Sequence, residues 1–211
     1  KLLYAPDYGI PQMRKREFFV GLRDSHEDFK FPEPTVGKND YVTCEEAIGD
    51  LPSLQTDEGD IIYGEEIQDY LYPIQNDYQK RMRANSEKVR NHIGSIPIEK
   101  TKFMISLVPE GKNYKALPEE YQGIYKYHEA LTRYHSKKPS NTINTGHRSH
   151  FHYKWNRIPT VRESARLQSF PDDFIFYGNK SEQYRQVGNA VPPILGQVVA
   201  DALLPYLKDG E

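Results

Sequence analysis

A mixed α+β fold with a large irregular part is what the sequence predicts, on three observations. Near the start, residues 17–22 (EFFVGL) form a short apolar run suited to a buried strand, yet the chain offers few other strands to pair with it. At the end, Ile194, Leu195, Val198, Val199, Ala202 and Leu203 recur at helical spacing behind Pro192 and Pro193, which pre-set a first turn. Between these ends, residues 93–157 show weak periodicity and are punctuated by Pro97, Pro109, Gly111, Pro118, Pro139 and Gly146. A strand short of partners implies a sheet whose other members lie elsewhere, upstream or on a partner chain.

The remaining elements follow in order. Tyr8-Gly9-Ile10-Pro11 signals a turn ahead of the apolar run. Thr43 and Glu46 have capping-box spacing and open a short helix that ends near Gly49 and Pro52. Residues 77 to about 89 suit a second helix, basic on much of its surface. Loops with short strands fill the punctuated middle. Thr160 and Glu163 repeat the capping-box spacing, so a helix is expected to run to about Phe170 and stop at Pro171. The chain opens on Lys1-Leu2-Leu3 without an initiator methionine and reads as a cut piece.

Composition narrows the function classes. The 37% apolar content with 16 tyrosines and 15 prolines suits a loop-rich, soluble domain. No run approaches the roughly 20 apolar residues that span a bilayer, and no signal-like segment opens the chain, so a membrane partner is not expected. A single cysteine excludes an intramolecular disulfide framework and a thiolate zinc cluster. The net charge of −2 conceals a division along the chain: residues 1–23 carry +3, residues 24–79 carry −13, residues 80–157 carry +10 and the last 54 carry −2. A basic middle segment suits a face that meets phosphate, although a solvated surface with chance clustering gives the same count.

Few side chains suggest chemistry of their own. Cys44 sits one residue inside an acidic helix start, where two carboxylates oppose a thiolate, so an inert packing cysteine is the better reading. His147, His150 and His152 lie close together but lack a fourth ligand at a recognisable spacing, and no metal is expected. There is no G-x-G-x-x-G, no Walker loop and no Pro-Cys pair. More specific is the stretch Gln12-Met13-Arg14-Lys15-Arg16, where Arg14 and Arg16 share one face of an extended chain and can offer forked donors to phosphate or a base carbonyl; a solvated basic strand edge is the alternative. TVRESARLQSFPDDF (160–174) and QVGNAVPP (186–193) complete the set, the latter with Gly188 for a tight bend and Asn189 as donor and acceptor.

In this order the three stretches resemble the last three motif blocks of DNA (cytosine-5) methyltransferases: the Q-x-R-x-R strand, the R-E-x-A-R-L-Q-x-F-P-D helix and the Q-x-G-N-x-V-x-P turn, with a variable target-recognition region between the first two. The likeness covers the whole chain in layout and about 45 residues in motif detail. TCEEAIGDLP (43–52) resembles the family's linker, and Asn91-His92 with Pro109-Glu110-Gly111-Lys112-Asn113 resembles the start of a recognition region. The resemblance implies a fragment of an α/β S-adenosylmethionine-dependent domain plus an irregular, partly β recognition domain. It divides the chain into a strand region (1–23), an acidic linker (24–75), a target-recognition domain (76–157) and helices returning to the catalytic domain (158–211).

By the same resemblance, a complete enzyme flips cytosine out of the duplex, attacks C6 with a cysteine thiolate and transfers a methyl group from S-adenosylmethionine to C5. The thiolate and the glycine-rich cofactor loop belong to blocks absent from this sequence, so the chain alone is expected to be inactive. Its partners would be double-stranded DNA and a catalytic half, on the same polypeptide or a second subunit, in a bacterial cytoplasm. Arg16 matches the arginine near the target-base carbonyl, Arg14 the companion supporting the catalytic loop, and Gln12 a polar residue beside a phosphate; Arg148, in the basic middle, joins them as a DNA contact. Asn189, Ala190 and Val191 match the turn beside the methionine part of the cofactor, so only an edge of that pocket is expected. Arg162, Glu163 and Arg166 match a block that organises the recognition region. The second reading is a stand-alone DNA-reading specificity protein without methylation activity.

Overall fold

The computed structural model describes residues 1–23, 28–56, 59–124, 130–146 and 149–207. Strand β1 (Leu2–Tyr4) pairs antiparallel with β2 (Lys15–Glu17), in the register Leu2 to Glu17, Leu3 to Arg16 and Tyr4 to Lys15. The strand expected over 17–22 is thereby corrected: it ends at Glu17 and finds its partner locally, through a 3-10 turn (Ala5–Tyr8) that carries Pro6 at its start and closes on Gly9 at φ +76°. Phe19 beyond it is 87% exposed.

Helix α1 (Cys44–Ile48) begins with both halves of its capping box: Thr43 accepts from the Glu46 amide, and Glu46 accepts from the Thr43 amide at 2.8 Å. Cys44, Ala47, Ile48 and Leu51 are all buried, so this acidic stretch is part of the core rather than a loose connection. A two-residue strand β3 (Ile67–Gln68) precedes α2 (Asp77–Arg83), which is capped by Asn76 and ends six residues before the expected point. Strand β4 (Val89–Arg90) then pairs with β3.

In the middle the structure adds helices that periodicity does not reveal, α3 (Glu99–Ser106) and α4 (Glu119–Gln122), beside the two-residue parallel pair β5 (Thr132–Arg133) and β6 (His150–Phe151). Met104, Ile105, Val108, Leu117, Leu131 and Phe151 form a separate apolar cluster there. Tyr78, Met82 and Val89 pack instead with the larger cluster, which gathers residues from both ends of the chain.

Helix α5 (Val161–Leu167) opens on its capping box as expected but stops before Phe170. The cause is a Schellman-type end: Phe170 N–H bonds the Ala165 carbonyl at 2.9 Å, Ser169 N–H bonds the Arg166 carbonyl at 3.0 Å, and Ser169 takes φ +67° where glycine is usual. Helix α6 (Lys180–Asn189) carries a third capping box, Asn179 with Glu182, and α7 (Pro193–Leu207) buries Ile194, Leu195 and Val199 as its spacing requires. By length and apolar content residues 180–207 would suffice to cross a bilayer. The backbone breaks between α6 and α7, however, with Ala190 at ψ 152°, and the apolar face of α7 belongs to the core.

Candidate functional site

Gln12 and Arg14, just ahead of β2, enter the protein interior and join the three motif stretches to one another. Arg14 is 1% exposed. Its guanidinium donates to the carbonyls of Ile143 (2.9 Å), Gly188 (2.8 Å) and Ala190 (3.3 Å), and to Gln12 Oε1 (3.3 Å). Gln12 accepts from the Ile143 amide at 3.0 Å and donates to the Leu167 carbonyl and to Gln168 Oε1. Gln168, the C-cap of α5, continues the lock by donating to the carbonyls of Val187 (3.2 Å) and Ala190 (2.8 Å). The turn between α6 and α7 is thus held by an arginine and two amides that donate to its backbone carbonyls and to one another.

This placement corrects the expectation that Gln12 and Arg14 meet DNA directly, because both are enclosed by the protein's own polar groups. Arg16, two residues on, is only half buried, and its one hydrogen bond among the described residues goes to the adjacent Lys15 carbonyl at 3.1 Å. Its remaining donors have no hydrogen-bond partner among the described residues. Asn189 and Val191 are exposed on the other side of the lock, with Ala190 half buried between them. Arg148 and His147 lie outside the described residues. Gln168 is legible in the sequence only as one letter of a motif; nothing local announces its role.

Gly188 allows the close approach that the lock needs. A Cβ there would stand 2.5 Å from the Asn144 carbonyl oxygen and 2.8 Å from the Thr145 nitrogen, both backbone atoms. Gly188→Ala is therefore expected to lose about 1–3 kcal/mol, as overpacked sites do. Gly196→Ala, within α7 and with nothing inside 4 Å, should be neutral or gain up to about 1 kcal/mol from helix propensity. Denaturant midpoints of the two variants check the contrast, and equal midpoints would refute it.

Two buried ionic assemblies flank the lock. Arg166 donates to Asp172 through Nε and Nη2, both at 2.6 Å, and to Asp50 at 3.1 Å; Tyr70 adds its hydroxyl to Asp172 at 2.5 Å. Burial works against the charge on Arg166, but the two carboxylates more than offset it. Arg162 spends its fork on the carbonyls of Arg90, Pro171 and Phe174, which tie α5 to β4 and to the following loop. Arg157 grips Glu163 with two 2.7 Å bonds, while Glu163 also caps α5. All three residues of the expected organising block are thus buried connectors.

Two histidines beside Glu163 make this region acid-sensitive. His92 bridges Thr160 Oγ1 (2.9 Å) and the Pro52 carbonyl (2.8 Å), and burial lowers its pKa to about 4. His152 receives the amides of Lys154 and Trp155, and burial lowers it to about 3. Burial opposes the charge of Glu163, yet Arg157 holds its carboxyl well below the ordinary range. An unfolded chain takes up protons at these histidines near pH 6.5, whereas the folded one does not until near pH 4 and pH 3. Stability present at neutrality is accordingly lost as pH falls below about 6.5, and Glu163 adds to the loss below about 4.5. Urea midpoints taken between pH 7 and pH 4 should decline steadily; a flat profile would contradict the assignment.

The other candidate groups are structural. Cys44 is fully buried, and burial pushes its thiol far up, as a packing cysteine requires. His150 stacks on Tyr134 at 5.4 Å between ring centres. No group of three or more His, Cys, Asp or Glu side chains able to hold a metal occurs among the described residues.

A family model described as C-5 cytosine-specific DNA methylase matches residues 1–204, and the chain belongs to that family. It is 39% identical to the type II methyltransferase M1.HphI of Haemophilus parahaemolyticus over 204 residues, 97% of this chain and 47% of that protein. With the type II methyltransferase M.DdeI of Desulfomicrobium norvegicum it shares 34% identity over 230 residues, 99% of this chain and 54% of the relative. The chain spans about half the length of the curated relatives it matches. A crystal structure of a DNA modification methyltransferase encoded within an E. coli prophage matches the fold with a TM-score of 0.72 at 23% identity, covering 99% of this chain and 60% of that one.

Proposed function

We propose that the chain is the C-terminal, target-recognition half of a DNA (cytosine-5) methyltransferase, acting on double-stranded DNA together with a catalytic half. The observation that carries the reading is the Arg14–Gln12–Gln168 lock. It joins the stretch that ends in Arg16 to the turn that presents Asn189, so the two motifs are held as one rigid unit. A protein that only read DNA would have no use for a cofactor-side turn held beside the Arg16 strand.

In this reading Arg16 holds the flipped cytosine by its carbonyl oxygen, where the fixed fork of a guanidinium gives direction as well as charge. Arg14 acts through Arg16 and Asn189 by fixing both backbones, and is a positioning residue. S-adenosylmethionine, when bound, supplies the methyl group. Asn189, Ala190 and Val191 would form one edge of its pocket, and they suit that place because Asn189 and Val191 are exposed while the carbonyls behind them are immobilised. The thiolate that attacks C6 belongs to the catalytic half, since Cys44 is enclosed and neutral.

Mixing the chain with a separately expressed catalytic half bearing a Pro-Cys block should restore transfer of labelled methyl groups to duplex DNA, while the chain alone transfers none. Two folded halves that neither associate nor methylate would refute the assignment, and transfer by the chain alone that survives Cys44→Ala would refute it differently.

A further inference from the structure

A cavity of about 530 Å³ opens beside the segment that leads to Arg16, lined by Gly111, Lys112, Asn113, Lys115, Thr132 and Asn141. Its lining contains two ammonium groups, two amides and no carboxylate. Lys112 and Lys115 have exposed side chains, and neither ammonium has an acidic partner among the described residues. The one acid of the turn, Glu110, is engaged elsewhere: it accepts from the Ser136 amide and lies 3.9 Å from His135 Nδ1.

The cavity wall is firmly held. Gly111 N–H bonds the carbonyls of Arg133 (3.1 Å) and Tyr134 (3.2 Å), Arg133 N–H bonds the Lys112 carbonyl at 2.9 Å, and Tyr114 N–H bonds the Ala130 carbonyl at 3.2 Å. Gly111 has φ +72°, and a Cβ would meet the His135 ring at 2.9 Å. Asn141 lies between Ser140 and Thr142, which grip the segment ahead of β2: Met13 N–H bonds the Ser140 carbonyl at 2.7 Å, Ser140 N–H bonds the Pro11 carbonyl at 2.9 Å, and Thr142 Oγ1 bonds the Met13 carbonyl at 2.7 Å. The cavity and the Arg16 strand therefore share one frame.

We infer that this cavity is a seat for a phosphate of the DNA backbone, held by Lys112 and Lys115, which sets the register of the duplex relative to Arg16. The inference rests on the proposed function and deepens it. Lysines act as point charges toward phosphate. The charge at the seat comes from ammonium groups, which have no planar fork to match a base edge, so their contribution positions the duplex without specifying sequence.

The test measures duplex binding by the 211-residue chain across a salt series, for wild type and for the Lys112→Ala/Lys115→Ala variant, with melting midpoints confirming that the variant folds. Binding should weaken with salt along a log-log line whose slope becomes shallower by about 0.9 for each phosphate no longer neutralised, with affinity roughly tenfold lower at moderate salt. The loss should be equal for duplexes of unrelated sequence. Lys38→Ala, which removes an exposed ammonium from the acidic segment 24–79, should leave the slope unchanged. An unchanged slope in the double variant, an equal change in Lys38→Ala, a loss confined to one sequence, or salt-independent binding by the wild type would each overturn the seat. Restored methylation with an unchanged slope would remove the seat and leave the methyltransferase reading intact; a shallower slope without restored methylation would do the reverse.

Discussion

Asp172→Ala is expected to destabilise the protein by about 3–5 kcal/mol, the usual consequence of removing one partner from a buried ion pair. Asp172 is fully buried and accepts two 2.6 Å bonds from Arg166 and one 2.5 Å bond from Tyr70, with Arg162 at 3.7 Å. Without it, Arg166 depends on Asp50, which Arg83 already approaches at 3.3 Å, and Arg162 retains only backbone carbonyls. A loss of that size is a large share of the roughly 5–15 kcal/mol that holds a domain together. It corresponds to a fall of about 6–20 °C in melting temperature for a chain of this length. The exposed neighbour supplies the control, since Asp173→Ala should stay within about 0.5 kcal/mol of wild type. Denaturant titration decides the matter: matching midpoints for the two variants would show that the assembly contributes nothing.

Arg16→Ala in the reassembled enzyme should lower the methylation rate by about 10²–10³-fold, the range typical for deleting one preorganised donor at a developing charge. Arg16 is half buried and makes one described bond to its neighbour's carbonyl, so the melting temperature and the association of the halves should hardly change. Arg14→Ala should behave differently. It leaves the carbonyls of Ile143 and Gly188 without their side-chain donor and Ala190 with Gln168 alone, and so lowers stability together with activity. Turnover measured at saturating DNA beside thermal melts separates these roles. If Arg16→Ala turned over at the wild-type rate, the target-base assignment would fail while the structural lock stood.

Much of the local structure is legible in the sequence because its causes are local. The capping boxes Thr43 with Glu46 and Thr160 with Glu163 need only four residues, and both form in full. The last helix shows in its own apolar spacing. Asn179 with Glu182 carries the same capping signal ahead of α6, a helix that apolar spacing alone does not mark. Helix α3 has no such signal: Ile98 precedes it without a side-chain cap, and its outer residues hide the periodicity.

What the sequence by itself determined was where the helices capped by Thr43 and Thr160 and the last helix begin, which face of the last helix is apolar, how charge is divided along the chain, and which three motif stretches occur in which order. Only the tertiary structure decided what those stretches do to one another. Residues 12 and 14 suggest surface donors because arginine and glutamine usually are. They turn inward because the carbonyls at 143 and 188, brought together from more than a hundred residues away, must be satisfied once buried, while the carbonyl at 190 takes Gln168 as well as Arg14. Those contacts are properties of the folded whole, and no window of sequence contains the partners that settle them.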